Sequence, residues 1–202
     1  MLLISLKESN KMSLEKVTKW MIDRHNGQTR KNKINGNILP YFFHPIQVAN
    51  LVFKFGAGTE DNMMAALCHD ILEDTETTEQ ELLDATNQNV VDIVKELTWI
   101  PLINPQSNVT KEQYMLSFET ASIDALIIKI ADRLCNVADF KLTSPEYAET
   151  YFLKASPLFE FFEKRQTEVC KTYNLHTFWK IMSMILYVRN KVSENYLSEI
   201  IL

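Results

Sequence analysis

Apolar residues recur along most of this chain at the three- and four-residue spacing that is typical of amphipathic helices. In one such stripe, Val48, Leu51 and Phe55 follow Pro45, which suits the first turn of a helix because it has no N–H to leave unpaired there. The same pattern predicts further helices over approximately residues 13–25, 60–72, 90–99, 122–140 and 175–202, and others that begin near Thr78 and Pro145. The sequence therefore predicts an all-α bundle of roughly nine to eleven helices.

Glycine usage and overall composition agree with a helical domain. The 202 residues include only four glycines, all at or before Gly58, which disfavours sandwich, barrel and Rossmann folds. This length is typical of about one domain, and 46% hydrophobic with 23% charged residues is an ordinary globular mixture. We therefore expect a single domain over residues 1–202, with its sequence motifs in about 14–160 and closing helices in about 160–202.

The charge pattern limits the kinds of partner that the protein can have. The net charge is −5, and the longest basic cluster, Arg30, Lys31 and Lys33, suits one anionic small molecule but is too short for a nucleic-acid polymer. No apolar run approaches the roughly 18 residues of a membrane-spanning helix, and the N-terminal residues do not resemble a signal peptide. We expect a cytoplasmic protein with a small-molecule ligand and no membrane partner, either a monomer or a homo-oligomer.

Polar residues occupy several positions where the helical pattern calls for apolar ones. His44 precedes Pro45, His69 and Asp70 interrupt the apolar run of the 60–72 helix, and Asp132 lies in the middle of the most apolar helix of the chain. An unpaired carboxylate buried there would cost several kcal/mol, so Asp132 requires a partner or a metal ion. Two imidazoles and two carboxylates suit Mn²⁺, Fe²⁺ or Zn²⁺ better than Ca²⁺. Because His69 and Asp70 are adjacent, both can bind one ion only from a distorted helix end or a turn.

Two further features accompany this set of possible ligands. Glu73 and Asp74 follow His69 and Asp70 by four residues, a spacing that places a second acidic pair one helical turn away. Such carboxylates can orient a metal-bound water and take its proton. Residues 26–40 are a polar loop whose 15 residues are more than most structureless connections have, and such loops are often functional.

The order of these residues, His44, then His69-Asp70, then Asp132, resembles the metal motif of the HD superfamily of phosphohydrolases. The surrounding residues narrow the resemblance to the RelA/SpoT hydrolase domain, and in particular to the small, stand-alone alarmone hydrolases. The pair Glu73-Asp74 directly after the His-Asp motif is the more specific part of this similarity. The matching segments are Gln-Thr-Arg-Lys at 28–31, Pro-Tyr-Phe-Phe-His-Pro at 40–45, Ala-Ala-Leu-Cys-His-Asp-Ile-Leu-Glu-Asp-Thr at 65–75 and Ile-Lys-Ile-Ala-Asp-Arg-Leu-Cys-Asn at 128–136.

The resemblance implies an activity and a role for each matched residue. It implies one bound Mn²⁺ and hydrolysis of the 3′-pyrophosphate of guanosine tetra- or pentaphosphate to GDP or GTP and pyrophosphate. Glu73 and Asp74 would position and deprotonate the attacking water, and Arg30 would pack its planar guanidinium on the guanine base, which lysine cannot do. The implied metal ligands are His44, His69, Asp70 and Asp132, and the other implied substrate-binding residues are Lys31, Asn136, Asp139, Lys129 and Tyr151.

The sequence also departs from the family pattern, and this leaves alternatives open. The loop over residues 32–39 is longer and altered in a region that builds the nucleotide pocket of the family, and residues 99–121 match poorly. One alternative is an HD phosphohydrolase that acts on an adenine alarmone, the 2′-phosphate of NADPH or a nucleoside monophosphate. The other is a non-catalytic nucleotide-binding module.

Overall fold

The computed structural model describes residues 13–31, 38–139 and 145–193, and this part of the chain is almost entirely helical. The elements in chain order are α1 (Leu14–Arg24), β1 (Thr29–Lys31), β2 (Ile38–Pro40), α2 (Phe43–Phe55), α3 (Glu60–Leu67), α4 (Ile71–Asp74), α5 (Glu79–Ala85), α6 (Gln88–Leu97), α7 (Ile100–Ile103), α8 (Lys111–Ser117), α9 (Ile123–Asp139), α10 (Pro145–Lys164), α11 (Gln166–Thr172) and α12 (Leu175–Ser193). Two of the helices, α4 and α7, have only four residues each. The all-α prediction is confirmed.

Local sequence signals account for where several helices begin and end. The side chains of Thr59, Thr78, Asn87 and Thr110 each accept a hydrogen bond from a backbone N–H in the first turn of the helix that follows. At Thr78 this bond is part of a capping box with the third residue of α5, and the helix begins there as predicted. Helix α2 ends at Gly56, whose φ of 86° lies in the left-handed region that favours glycine.

Helix α9 lies at the centre of the core. Leu126, Ile127, Ile128 and Ile130 are completely buried, and the helix packs against α2, α3, α6 and α10. A helix that is apolar nearly all round must be covered on every side, so its central position follows from its sequence. Asp132 is on this helix, and the fold therefore carries a carboxylate into the middle of the core.

Two expectations from the sequence need correction. The helix predicted over 60–72 is broken, because α3 ends at Leu67 and α4 begins at Ile71. The polar loop over 26–40 has strands at both ends, paired antiparallel with Arg30 opposite Leu39. The poorly matching stretch after Trp99 contains the short helices α7 and α8.

The C-terminal part of the described chain is also helical. Pro157 lies inside α10, which continues past it to Lys164, and α12 ends at Ser193. The predicted extension of the last helix over 194–202 lies outside the described residues. Among the helices that the structure describes, none combines the length and hydropathy needed to cross a membrane.

Candidate metal and nucleotide site

Four side chains from three parts of the fold meet in the core. His44 is in the first turn of α2, His69 and Asp70 are in the turn between α3 and α4, and Asp132 is on α9. Nε2 of His44 lies 3.2 Å from Oδ1 of Asp132 and 3.8 Å from Oδ2 of Asp70. Nε2 of His69 lies 2.9 Å from Oδ2 of Asp70 and 3.8 Å from Oδ1 of Asp132. Both imidazoles therefore direct Nε2 towards both carboxylates.

The break between α3 and α4 is what brings His69 and Asp70 to the same point. Nδ1 of His69 donates a hydrogen bond of 2.8 Å to the carbonyl oxygen of Ala66, so the lone pair is on Nε2, on the side of the carboxylates. That Nε2 is buried and has no hydrogen-bond partner among the described residues. A buried imidazole nitrogen with no hydrogen-bond partner, beside carboxylate oxygens, is the arrangement expected of a divalent cation site.

The charges of the four groups are consistent with a cation site. Burial lowers the pKa of His44, which favours the neutral imidazole that can act as a ligand. Burial acts in the same direction on His69, but the charge of Asp70 outweighs it and raises the pKa of His69. The carboxylate charge that raises the pKa of His69 would also attract a divalent cation to this position. His44, His69 and Asp70 place three ligand atoms within 4.8 Å of one another.

Asp132 is held as a carboxylate by the positive charges around it. Burial opposes its ionisation, but the ammonium group of Lys129, 3.3 Å from Oδ2, and the bond with His44 hold the pKa of Asp132 well below its usual range. Nε of Arg133 lies 3.8 Å from the same oxygen. These contacts meet the requirement, predicted from the sequence, that this buried carboxylate should have partners.

Glu73 and Asp74 are on α4, directly after the His69–Asp70 turn. Oε1 of Glu73 accepts a hydrogen bond from the backbone N–H of Trp99, and this fixes one end of the carboxylate. Burial raises the pKa of Glu73, and burial together with the charge of Asp70 raises the pKa of Asp74. Both carboxylates also line a cleft of about 500 Å³ that is open to solvent.

Two of the predicted substrate-binding residues are joined to the metal cluster by hydrogen bonds. Nη2 of Arg30, on β1, donates to Oδ1 of Asn136. Nδ2 of Asn136 in turn donates to Oδ1 of Asp132 at 2.6 Å. The guanidinium group is therefore held beside the cluster although Arg30 and Asn136 are 106 positions apart in the chain.

The remaining predicted substrate residues are placed differently. Lys129 is only 5% exposed, and its ammonium group lies over the ring of Tyr114 as well as beside Asp132. The hydroxyl of Tyr151 accepts a hydrogen bond of 2.5 Å from Arg133, which connects it to the same cluster. The side chains of Lys31 and Asp139 lie outside the described residues, so their roles stay predictions.

Sequence reasoning did not assign a role to two residues that touch the site. The hydroxyl of Tyr41 donates to Oδ2 of Asp70, and burial and the charges of Asp70 and Asp74 raise the pKa of Tyr41, which keeps the hydroxyl protonated. Tyr41 belongs to the segment at 40–45 that matches the family, so this match could have identified it as a candidate site residue. Trp99 contributes its backbone N–H to Glu73, and a side-chain pattern carries no signal for such a contact.

The helical bundle and its buried histidines and aspartates define a domain that can bind a divalent metal ion. The chain belongs to the HD-domain family, whose model matches residues 19–166. The match covers more than half of the chain, and the cluster of His44, His69 and Asp70 lies within the matched residues.

Three proteins with similar sequences are named guanosine-3′,5′-bis(diphosphate) 3′-pyrophosphohydrolases. Guanosine-3′,5′-bis(diphosphate) 3′-pyrophosphohydrolase MESH1 of Xenopus tropicalis is 34% identical over 128 residues, which are 61% of this chain and 67% of that protein. The MESH1 protein of Drosophila melanogaster is 30% identical over 141 residues, 65% of this chain and 74% of that protein. The guanosine-3′,5′-bis(diphosphate) 3′-pyrophosphohydrolase of Aquifex aeolicus is 35% identical over 57% of this chain, but this chain covers only 16% of its length.

A solved structure supports the fold. It is that of a metazoan orthologue of SpoT described as hydrolysing ppGpp, and it superposes with a TM-score of 0.64. The alignment covers 87% of this chain and 94% of the other, at 23% identity. Similarity at that level of identity supports the shared helical architecture.

Proposed function

We propose that this protein is a Mn²⁺-dependent pyrophosphohydrolase that removes the 3′-pyrophosphate of guanosine tetra- or pentaphosphate and releases pyrophosphate with GDP or GTP. The observation that carries the proposal is the placement of Glu73 and Asp74 on the helix that directly follows the His69–Asp70 turn. This places two carboxylates with raised pKa values next to a buried histidine–aspartate cluster. The names of the MESH1 relatives, two thirds or more of whose length this chain covers, point to the same reaction.

His44, His69, Asp70 and Asp132 would hold the metal ion, since their nitrogen and oxygen atoms converge and His69 Nε2 lacks another partner among the described residues. When bound, the ion supplies positive charge to the phosphoryl oxygens and makes a water molecule more acidic. Mixed imidazole and carboxylate ligands suit Mn²⁺, Fe²⁺ or Zn²⁺, and among these we propose Mn²⁺ because the resemblance to the RelA/SpoT hydrolase domain implies it.

Glu73 and Asp74 orient the attacking water and accept its proton. A carboxylate with a raised pKa is a stronger base, and proton transfer is most efficient when the pKa of the base approaches the working pH. The N–H of Trp99 keeps Glu73 in one orientation, so the base is in place before the substrate binds.

Substrate recognition falls to the residues around the cluster. Arg30 packs its guanidinium plane on the guanine base, and Asn136 both contacts the nucleoside and holds Arg30. Lys129 adds positive charge near the phosphates, which offsets the charge that develops in phosphoryl transfer. Lys31, Asp139 and Tyr151 complete the proposed substrate-binding set.

Arg30→Lys is expected to raise KM about tenfold with little change in kcat, since a stacked guanidinium is worth roughly 1–2 kcal/mol that an ammonium group cannot replace. Steady-state pyrophosphate release as a function of substrate concentration measures both constants. Arg165→Lys, which alters an arginine paired with Glu168 outside the site, is the matched control. An unchanged KM in Arg30→Lys would contradict the stacking role.

The proposed reaction is tested by incubating metal-free protein with guanosine tetraphosphate, with and without Mn²⁺, and separating the products by anion exchange. We expect GDP and pyrophosphate in the presence of Mn²⁺, and a return to background when a chelator removes the ion. Release of orthophosphate alone would contradict the proposal. A panel with an adenine alarmone, NADPH and nucleoside monophosphates tests the base preference. If one of them has a kcat/KM at least tenfold higher than guanosine tetraphosphate, that compound is the substrate instead. Tight nucleotide binding without turnover would instead indicate a binding module.

A further inference from the structure

The turn between α1 and β1 is connected to the site by a chain of hydrogen bonds. His25 is 1% exposed, and its Nδ1 lies 2.8 Å from Oε1 of Gln28. Nε2 of Gln28 donates to the backbone carbonyl oxygen of Asp74. Because the amide nitrogen of Gln28 is used for that donation, its oxygen faces His25, and Nδ1 of His25 must carry the hydrogen.

The same turn also contacts Tyr41, which follows β2. The ring of His25 packs on the ring of Tyr41 with a centroid distance of 4.9 Å. The backbone N–H of Tyr41 donates to the carbonyl oxygen of Gln28 at 3.0 Å. The hydroxyl of Tyr41 donates to the Asp70 oxygen that faces both imidazoles of the cluster. His25 therefore reaches Asp70 through Tyr41, and it reaches Asp74 through the amide of Gln28 and also through Tyr41.

Packing alone does not explain a histidine at this position. Nε2 of His25 is buried and has no hydrogen-bond partner among the described residues, which is unfavourable for a polar atom. An apolar side chain would fill this space without that cost. What the imidazole adds is the N–H that orients Gln28, and Gln28 is the residue that contacts the backbone of Asp74.

We propose that His25 and Gln28 are positioning residues that hold a metal ligand and a proton acceptor in fixed relation to each other. His25 acts on the ligand Asp70 through the hydroxyl of Tyr41, and on Asp74 through the amide of Gln28. The proposal rests on the proposed function for the role of Asp74, but its effect on Asp70 depends only on metal binding. Partners of this kind commonly change metal affinity or activity about 10- to 100-fold when removed.

Three substitutions separate the two branches. Gln28→Met is expected to lower kcat about tenfold and to leave KM and Mn²⁺ affinity within about twofold, because the amide of Gln28 bonds to Asp74 and not to Asp70. Tyr41→Phe is expected to weaken Mn²⁺ binding about tenfold, because the ring stays but the bond to Asp70 is lost. It should also lower kcat, because the same hydroxyl bonds to the side chain of Asp74. His25→Leu should produce both effects.

A conservative variant distinguishes positioning from packing. In His25→Asn the side-chain N–H₂ can take the place of the Nδ1 hydrogen, although the ring contact with Tyr41 is lost. We expect His25→Asn to recover most of the kcat that His25→Leu loses, while Mn²⁺ affinity stays low in both. Gln88→Met, which removes an exposed bond to Asp92 on α6, is the matched control and should resemble the wild type.

Titration calorimetry of substrate-free protein measures Mn²⁺ affinity, pyrophosphate release gives kcat and KM, and thermal unfolding verifies the fold. The proposal is overturned if folded His25→Leu keeps kcat and Mn²⁺ affinity within about twofold of the wild type, or if His25→Asn recovers no activity. If His25→Leu does not fold, substitutions of the half-buried Gln28 and the isosteric Tyr41→Phe variant decide the two branches separately. If the wild type releases no pyrophosphate, the proposed function fails, and the Mn²⁺ affinities of Tyr41→Phe and His25→Leu still decide the branch through Asp70.

Discussion

Glu73→Gln combined with Asp74→Asn is expected to lower kcat by about 10²- to 10⁴-fold, the usual contribution of a positioned general base. Both substitutions keep the shape of the side chain and remove its negative charge together with its ability to accept a proton. The carbonyl oxygen of the introduced glutamine amide can still accept the hydrogen bond that Trp99 donates to Glu73, so the loop before α7 should stay in place. The implied metal ligands are untouched, and Mn²⁺ affinity should change far less than kcat.

The test compares single-turnover pyrophosphate release with calorimetric Mn²⁺ binding in the same preparations. Glu79→Gln combined with Asp84→Asn is the matched control, because it removes the same two charges from exposed positions on α5. That control should keep the wild-type rate. If the Glu73 and Asp74 double variant binds Mn²⁺ normally and keeps more than about a tenth of the wild-type kcat, another group activates the water.

Asp132→Asn is expected to lower the free energy of unfolding of the metal-free protein by about 3–5 kcal/mol, the typical cost of removing one partner of a buried ion pair. The substitution leaves the ammonium of Lys129 and the guanidinium of Arg133 in the core without the carboxylate that neutralises them. It also removes a charged oxygen that both His44 and His69 face, so Mn²⁺ affinity should fall as well.

Urea denaturation of metal-free protein measures the stability effect, and the exposed substitution Asp92→Asn on α6 provides the control. The physical cause is tested by combining Asp132→Asn with Lys129→Met, which removes both charges of the closest pair. We expect the double variant to be more stable than Asp132→Asn alone, because the ammonium no longer lacks a partner. An unfolding free energy of Asp132→Asn within about 0.5 kcal/mol of the wild type would mean that Asp132 is not the main counter-charge of this core.

Much of the helical architecture follows from short-range signals. The capping box at Thr78, the left-handed Gly56 after α2 and the apolar surface of α9 depend on residues at most one or two turns apart. Such signals act in the same way in an isolated peptide and in the folded chain, so they can be recognised from the sequence. The adjacency of His69 and Asp70 likewise predicted a distorted helix end, and α3 does end just before them.

Long-range contacts account for what the sequence did not predict. The strands β1 and β2 have only three residues each, and their pairing is a contact between segments that the sequence pattern of such short strands does not specify. The bond between Trp99 and Glu73 involves a backbone group, which every residue except proline possesses.

The sequence by itself determined which chemical groups are available and their order along the chain: two histidines, two aspartates, an adjacent acidic pair and a basic cluster. Their arrangement in space was decided by the tertiary structure. His44 and Asp132 are 88 residues apart, and only the packing of α2 against α9 brings Nε2 and Oδ1 to 3.2 Å. The bond from Arg30 to Asn136 and the contacts that join the turn of His25 to Asp70 and Asp74 have the same origin. Each depends on the relative position of separate elements, which side-chain packing in the core sets and which local patterns do not encode.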